Sequence, residues 1–177
     1  GVSTDPVLTD TTTVHTSIGN TPVVENNTAV SPKDTVKTPE KPIGPKPKKS
    51  GFSKYYANID QGKKILCFFA PSCEHCQATA KELTEMRKAN PDFPEMQILF
   101  MDEATEEIPN FFKFAGATYN YKVLEVIEFW NAIGNEKNVP GVCYLWNGHV
   151  MKFYEGTEGA NKFSAKDLKL QLQKTKK

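Results

Sequence analysis

Two thiols, a carboxylate and an imidazole fall within four residues at Cys73-Glu74-His75-Cys76. The chemistry open to them depends on where the chain puts them. The run Lys63-Lys64-Ile65-Leu66-Cys67-Phe68-Phe69-Ala70 is short, bulky and apolar, the pattern of a strand covered on both faces. It stops at Pro71-Ser72, and from Cys73 to Asn90 the apolar residues take up a helical period. The four residues therefore open a helix that follows a strand, with Ser72 expected as the N-cap. A thiol there meets unpaired backbone N–H groups and the positive end of the helix dipole, and both favour thiolate. The second thiol, one turn on, is within reach of the first.

Three chemistries fit the pair. As a redox couple, Cys73 attacks a substrate disulfide and Cys76 resolves the mixed disulfide. As half of a zinc site, the pair needs two further ligands. The remaining candidates are Cys67, Cys143, His15, His75 and His149, with no second C-x-x-C and no His pair at ligand spacing. As a structural disulfide it closes so short a loop that it restrains little of the unfolded chain. The two central residues pull in opposite directions on the thiol. His75 beside Cys73 favours thiolate, whereas a Glu74 carboxylate aimed at the sulfur opposes it. Glu74 also suits the first turn of a helix for purely structural reasons.

The elements that carry this unit follow in order. Glu95–Met101 reads as a second strand, parallel to the first because a helix intervenes. Helical stretches are expected over Glu106–Phe114 and Lys122–Ile133, with Val123, Leu124, Ile127 and Trp130 on one face of the latter. Residues 141–146 and 150–154 flank Asn147-Gly148-His149, a hairpin signal. A last helix spans Ser164–Lys174, capped by Ser164. Cys67 and Cys143 are expected as core residues under the motif, Tyr121 and Trp130 as core of the extra helix, and His149 as an exposed turn residue.

Residues 1–50 contain none of the nineteen aromatics and seven of the twelve prolines. Such a segment buries too little apolar surface to offset the entropy of ordering it, and it reads as a disordered Thr/Pro/Lys-rich tether. The globular domain is placed at 51–177, large enough for one core. A net charge of +1 leaves no phosphate-seeking surface, so nucleic acid is not an expected partner. The longest apolar run, Ile65–Pro71, is too short to span a bilayer. The chain begins with Gly1 rather than Met, which reads as a processed or truncated product that has lost any signal or anchor.

The block from Ile65 to Cys76, with Val139-Pro140 before an apolar strand, the Asn147-Gly148 hairpin and a closing helix, resembles the thioredoxin fold over about Lys63–Lys174. The resemblance implies an α/β domain with a central mixed sheet flanked by helices, and a cis Pro140 facing the cysteines. It implies that the Val139 backbone offers hydrogen bonds to a substrate peptide. A proline there could instead simply begin the strand. His75 before the second cysteine and Val139 before the proline are similar to DsbA-like oxidases. The longer segment before Pro140 is similar to extracytoplasmic TlpA/ResA-type proteins and to the thioredoxin-like domains behind DoxX-type membrane segments. Ser72 and Cys67 depart from thioredoxin itself, which has Trp and a buried acid at these places.

The expectation is thus a bacterial, extracytoplasmic, membrane-tethered thiol–disulfide oxidoreductase. Its catalytic residues would be Cys73 and Cys76, tuned by Glu74 and His75, with Val139 and Pro140 binding substrate. It would be a periplasmic monomer without metal or dissociable cofactor, exchanging disulfides with cysteine-containing proteins and a membrane-embedded redox partner. The competing class is a redox-silent thioredoxin-like module that docks a partner on the proline face.

Overall fold

Five strands build the sheet around the apolar run that precedes the motif. The computed structural model describes residues 43–174. Strand β1 (Lys63–Phe69) lies at the centre, and β2 (Glu95–Met101) and β3 (Asn120–Leu124) extend the sheet on one side, parallel to it. Strands β4 (Gly141–Trp146) and β5 (His149–Glu155) extend it on the other side, antiparallel, giving the order β3-β2-β1-β4-β5. β1 and β4 are buried on both faces, which explains their unbroken apolar sequences. One face carries α1 (Glu74–Ala89), α2 (Ile108–Ala115) and α4 (Ala165–Lys174), packed through Ala80, Leu83, Phe111 and Leu168. The other is covered by Tyr55, Tyr56 and Ile59 and by α3 (Val126–Ile133) through Phe129 and Ile133. No helix among the described residues is long and apolar enough to cross a membrane.

The expected helix over Lys122–Ile133 is in fact a strand followed by a helix. Residues 120–124 form edge strand β3, whose Tyr121 ring meets Phe100 and Phe112 on one sheet face, while Lys122 lies over the Tyr56 ring on the other. That alternation is strand geometry. The break is Glu125, whose carboxylate accepts from the backbone N–H groups of Ile127 and Glu128 at 3.0 and 3.3 Å and caps α3. Tyr121 is therefore an edge residue, 42% exposed, rather than core of a helix. The helix expected from Glu106 begins as a short 3-10 turn over Thr105–Glu107, and α2 proper starts at Ile108 beside Pro109. The last helix is capped by the Ser164 hydroxyl, which accepts from Asp167 N–H.

The β4–β5 turn turns on two left-handed residues, Asn147 (φ 49°) and Gly148 (φ 80°). A Cβ on Gly148 would collide with the Lys48 carbonyl, because the preceding chain is fastened there. The Asn147 side chain donates to the Pro45 carbonyl at 2.9 Å, Lys48 N–H donates to the Asn147 carbonyl at 2.9 Å, and His149 Nε2 lies 2.7 Å from the Lys46 carbonyl. His149 is thus a half-buried strand residue holding a partner, not an exposed turn residue. The tether boundary expected at residue 50 passes through this attachment, and 43–49 go with the hairpin. The rest of the expected tether, residues 1–42, lies outside the described residues.

A stability test follows. Removing residues through Lys49 takes away four hydrogen bonds that removal through Pro42 leaves, each worth about 0.5–1.5 kcal/mol. The shorter product should unfold a few degrees lower in a calorimeter, on a scale of about 2–4 °C per kcal/mol. Equal midpoints would return the boundary to residue 50.

Candidate active site

Because β1, β2 and β3 are parallel and in register at Phe69, Phe100 and Val123, their C-terminal ends share one edge of the sheet. β4 enters from the same edge, since Gly141 pairs with Phe68. The motif leaves from the end of β1. Cys73 N–H donates to the Ala70 carbonyl at 3.1 Å, and the Cys73 carbonyl accepts from Gln77 N–H at 3.0 Å. The N-cap is Cys73, not Ser72. Its sulfur accepts from the backbone N–H of Cys76 at 3.2 Å, while Ser72 is exposed. A thiolate is a better acceptor than a thiol, so the same sulfur caps the helix and carries the reactivity.

All four cysteines are free thiols. Cys73 is half-buried and Cys76 fully buried. The Cys76 thiol donates to the Cys73 sulfur. With the Cys76 and His75 backbone N–H groups and the His75 charge, this outweighs burial and brings the Cys73 thiol down to about 6. Burial, then the hydrogen bond and charge of Cys73, drive the Cys76 thiol far up. One sulfur is therefore a thiolate at neutral pH and the other its proton-bearing neighbour. His75 and Glu74 are both exposed. Glu74 stands as the acid in the first turn of α1.

The Val139–Pro140 bond is cis, the isomer the resemblance implies. Val139 is half-buried and, like Cys73, packs against the cores on both sheet faces. Pro140 is buried and its carbonyl accepts from Gly156 N–H at 3.2 Å. Gly141 follows; a Cβ there would lie 2.9 Å from Ile133 Cδ1 and 3.1 Å from Phe68 Cβ, so these side chains would have to shift to admit it.

Cys67 and Cys143 lie on neighbouring strands, as expected, but face opposite ways. Cys67 pairs with Val142 and lies in the same core as Cys76, whereas Cys143 pairs with Leu66 and faces the α3 side. The one-residue offset and the alternation of the pleat account for it. Burial raises both thiols, that of Cys143 to about 12. Among the described residues no group of three His, Cys, Asp or Glu is gathered to hold a metal ion. A cleft of about 430 Å³ lined by Met86, Phe93 and Leu172 lies at the far end of α1. The acids at the edge that carries Cys73, Asp102 and Glu103 after β2 and Glu125 after β3, are not anticipated from the sequence.

The reactivity of Cys73 has a direct readout. In the reduced protein its alkylation rate should rise through a midpoint near pH 6 and level off by neutrality, where an ordinary thiol is still climbing towards 9. His75→Ala removes a charge that favours thiolate and should move the midpoint up. A wild-type midpoint above pH 8 would contradict the hydrogen-bonded thiolate.

No family model matches the chain. It is 50% identical over 126 residues to protein TlpB of Flavobacterium psychrophilum, covering 71% of this chain and 34% of that protein. The chain thus spans about a third of the length of this relative. Its structure resembles a secreted Mycobacterium tuberculosis disulfide oxidoreductase homologous to E. coli DsbE, with a TM-score of 0.54 at 16% identity, over 67% of this chain and 85% of that one. It also resembles a thioredoxin-family thiol:disulfide interchange protein of Chlorobium tepidum, with a TM-score of 0.53 at 18% identity, over 67% of this chain and 83% of that one. The chain has the thioredoxin fold.

Proposed function

We propose that this domain is a thiol–disulfide oxidoreductase acting through Cys73 and Cys76. The observation that carries the reading is the division of labour between the sulfurs. Cys73 is accessible, caps the helix and is held as thiolate, while Cys76 is buried one turn away and donates its proton to Cys73. In the reducing direction the Cys73 thiolate attacks a client disulfide and expels one client sulfur as thiolate. The Cys76 sulfur then attacks Cys73, expels the second, and gives up its proton. Two electrons pass to the client, and a Cys73–Cys76 disulfide forms.

The dithiol is itself the redox group, and no dissociable cofactor enters the reading. Clients are cysteine-containing proteins approaching the Val139–Pro140 edge. The likeness to a secreted disulfide oxidoreductase supports an extracytoplasmic location. The larger size of the TlpB relative is compatible with a further segment, such as a membrane anchor of the TlpA or DoxX-fused kind, and with a membrane-embedded redox partner. The test is catalysis of insulin disulfide reduction by dithiothreitol. Turnover is expected from the wild-type chain and none from the double serine variant at 73 and 76. Equal rates from the two would reduce the domain to a redox-silent docking module.

A further inference from the structure

The near-neutral total charge conceals a segregated surface. Asp102, Glu103 and Glu106 follow β2, and Glu125 and Glu128 open α3; all five are exposed, and both segments leave the sheet at the edge that carries Cys73. Asp102 N–H donates to the Leu124 carbonyl at 2.8 Å, which ties the two acidic segments together. Lys54 beside Glu128 offsets part of this charge. The other end of the sheet carries Lys46, Lys48 and Lys63 around the hairpin turn, with Asp60 beside Gly148 and Glu95 paired to Lys64.

Within the acidic segments lies an apolar helical turn that is exposed among the described residues. Ile127 is 68% and Val126 38% exposed, and Trp130, one turn from both, is only partly buried. Trp130, Cys73 and Val139 each pack against the buried cluster on this face. An exposed aliphatic pair of this kind, on the sheet face that Cys73 also packs against and rimmed mainly by acids, suits cover by a partner.

On the reading of Cys73–Cys76 as the redox couple, we propose that the α3 turn and its acidic rim form the client-docking surface and select cationic cysteine-containing protein segments. Charge complementarity identifies the occupant. A basic segment is drawn to the edge by the field of the five carboxylates, lays an aliphatic side chain on Ile127 and Val126, and presents its disulfide to Cys73. Acidic segments are repelled from the same approach.

The probes are two short peptides of equal length, each with one leucine and one cysteine held as a glutathione disulfide, one flanked by lysines and the other by glutamates. Each reaction converts the protein dithiol to the Cys73–Cys76 disulfide and the probe disulfide to two thiols, a two-electron exchange that Trp fluorescence or glutathione release follows. At about 0.01 M salt, where charges act over about 30 Å, the lysine peptide should react at least about tenfold faster than the glutamate peptide. At about 1 M salt, where they act over about 3 Å, the two rates should converge. The variant Glu103→Lys/Glu106→Lys/Glu128→Lys should reverse the preference at low salt, and Ile127→Ser should slow the lysine peptide at both salts.

Equal low-salt rates for the two peptides, or a preference that the triple variant leaves in place, would overturn the docking surface and leave the oxidoreductase standing. Failure of both peptides and of insulin to react would remove the oxidoreductase reading, and this one with it. Self-association of the protein at low salt, relieved by the triple variant, would give the surface to the basic end of a second copy instead.

Discussion

Replacing Cys73 by serine should bring disulfide reduction down to the uncatalysed rate, while Cys76→Ser should leave a protein that reacts once and stays attached to its client. The asymmetry follows from the two environments. Cys73 is the accessible sulfur and the one held as thiolate, so its loss removes the nucleophile. Cys76 is fully buried and reaches no client, but it is the sulfur hydrogen-bonded to Cys73, so its loss removes the step that releases the mixed disulfide. Non-reducing gels with a client protein should show a covalent adduct for Cys76→Ser and none for Cys73→Ser. The alkylation midpoint should move up in Cys76→Ala, which removes the thiol that donates to Cys73. Adducts formed through Cys76 in the Cys73→Ser variant would invert the assignment of roles.

The largest stability effect is expected at Phe100. This side chain is fully buried near the C-terminal end of β2, with the Phe111 ring edge-on at 4.9 Å and the Phe112 and Tyr121 rings at 5.8 and 5.6 Å. Phe100→Ala removes the ring around which α2 and β3 are arranged and leaves a cavity that three aromatic neighbours cannot all fill. The cost should be about 3–5 kcal/mol, a large share of the roughly 5–15 kcal/mol by which a domain is stable. Urea unfolding should show it as a fall in midpoint with little change in slope. Leu170→Ala, at a position on α4 that is 47% exposed, should cost no more than about 0.5 kcal/mol. Comparable losses at the two positions would mean that the β2 face is not the centre of the core.

The contrast between these residues also shows what the sequence reveals and what it hides. β1, β2 and the hairpin were legible because their signals are local: an unbroken apolar run, a second one after a helix, and an Asn-Gly pair. The C-x-x-C motif was legible at the start of its helix for the same reason. β3 was not. Its five residues continue into an apolar helix, and the stop between them is a glutamate, not one of the short polar residues that favour N-caps. The cap of α1 was misplaced by one residue because a thiol is not read as a capping group, although a thiolate accepts a backbone N–H well. The opposed faces of Cys67 and Cys143 depend on β4 register, and the acidic rim on strand direction; neither is a local property.

The central claim, that Cys73 and Cys76 are one redox couple with a stabilised thiolate, is tested most directly by its equilibrium potential against glutathione, followed by the number of free thiols. A Cys73 thiol near 6 lies between those of thioredoxin, about 7, and DsbA, about 3.5. The pair should therefore titrate as a single two-electron couple between about −270 and −120 mV, nearer the thioredoxin end. His75→Ala should make it more reducing, by about 30 mV for each unit that the Cys73 thiol rises. A disulfide that persists below about −300 mV, or a pair that never closes across the glutathione range, would contradict the account.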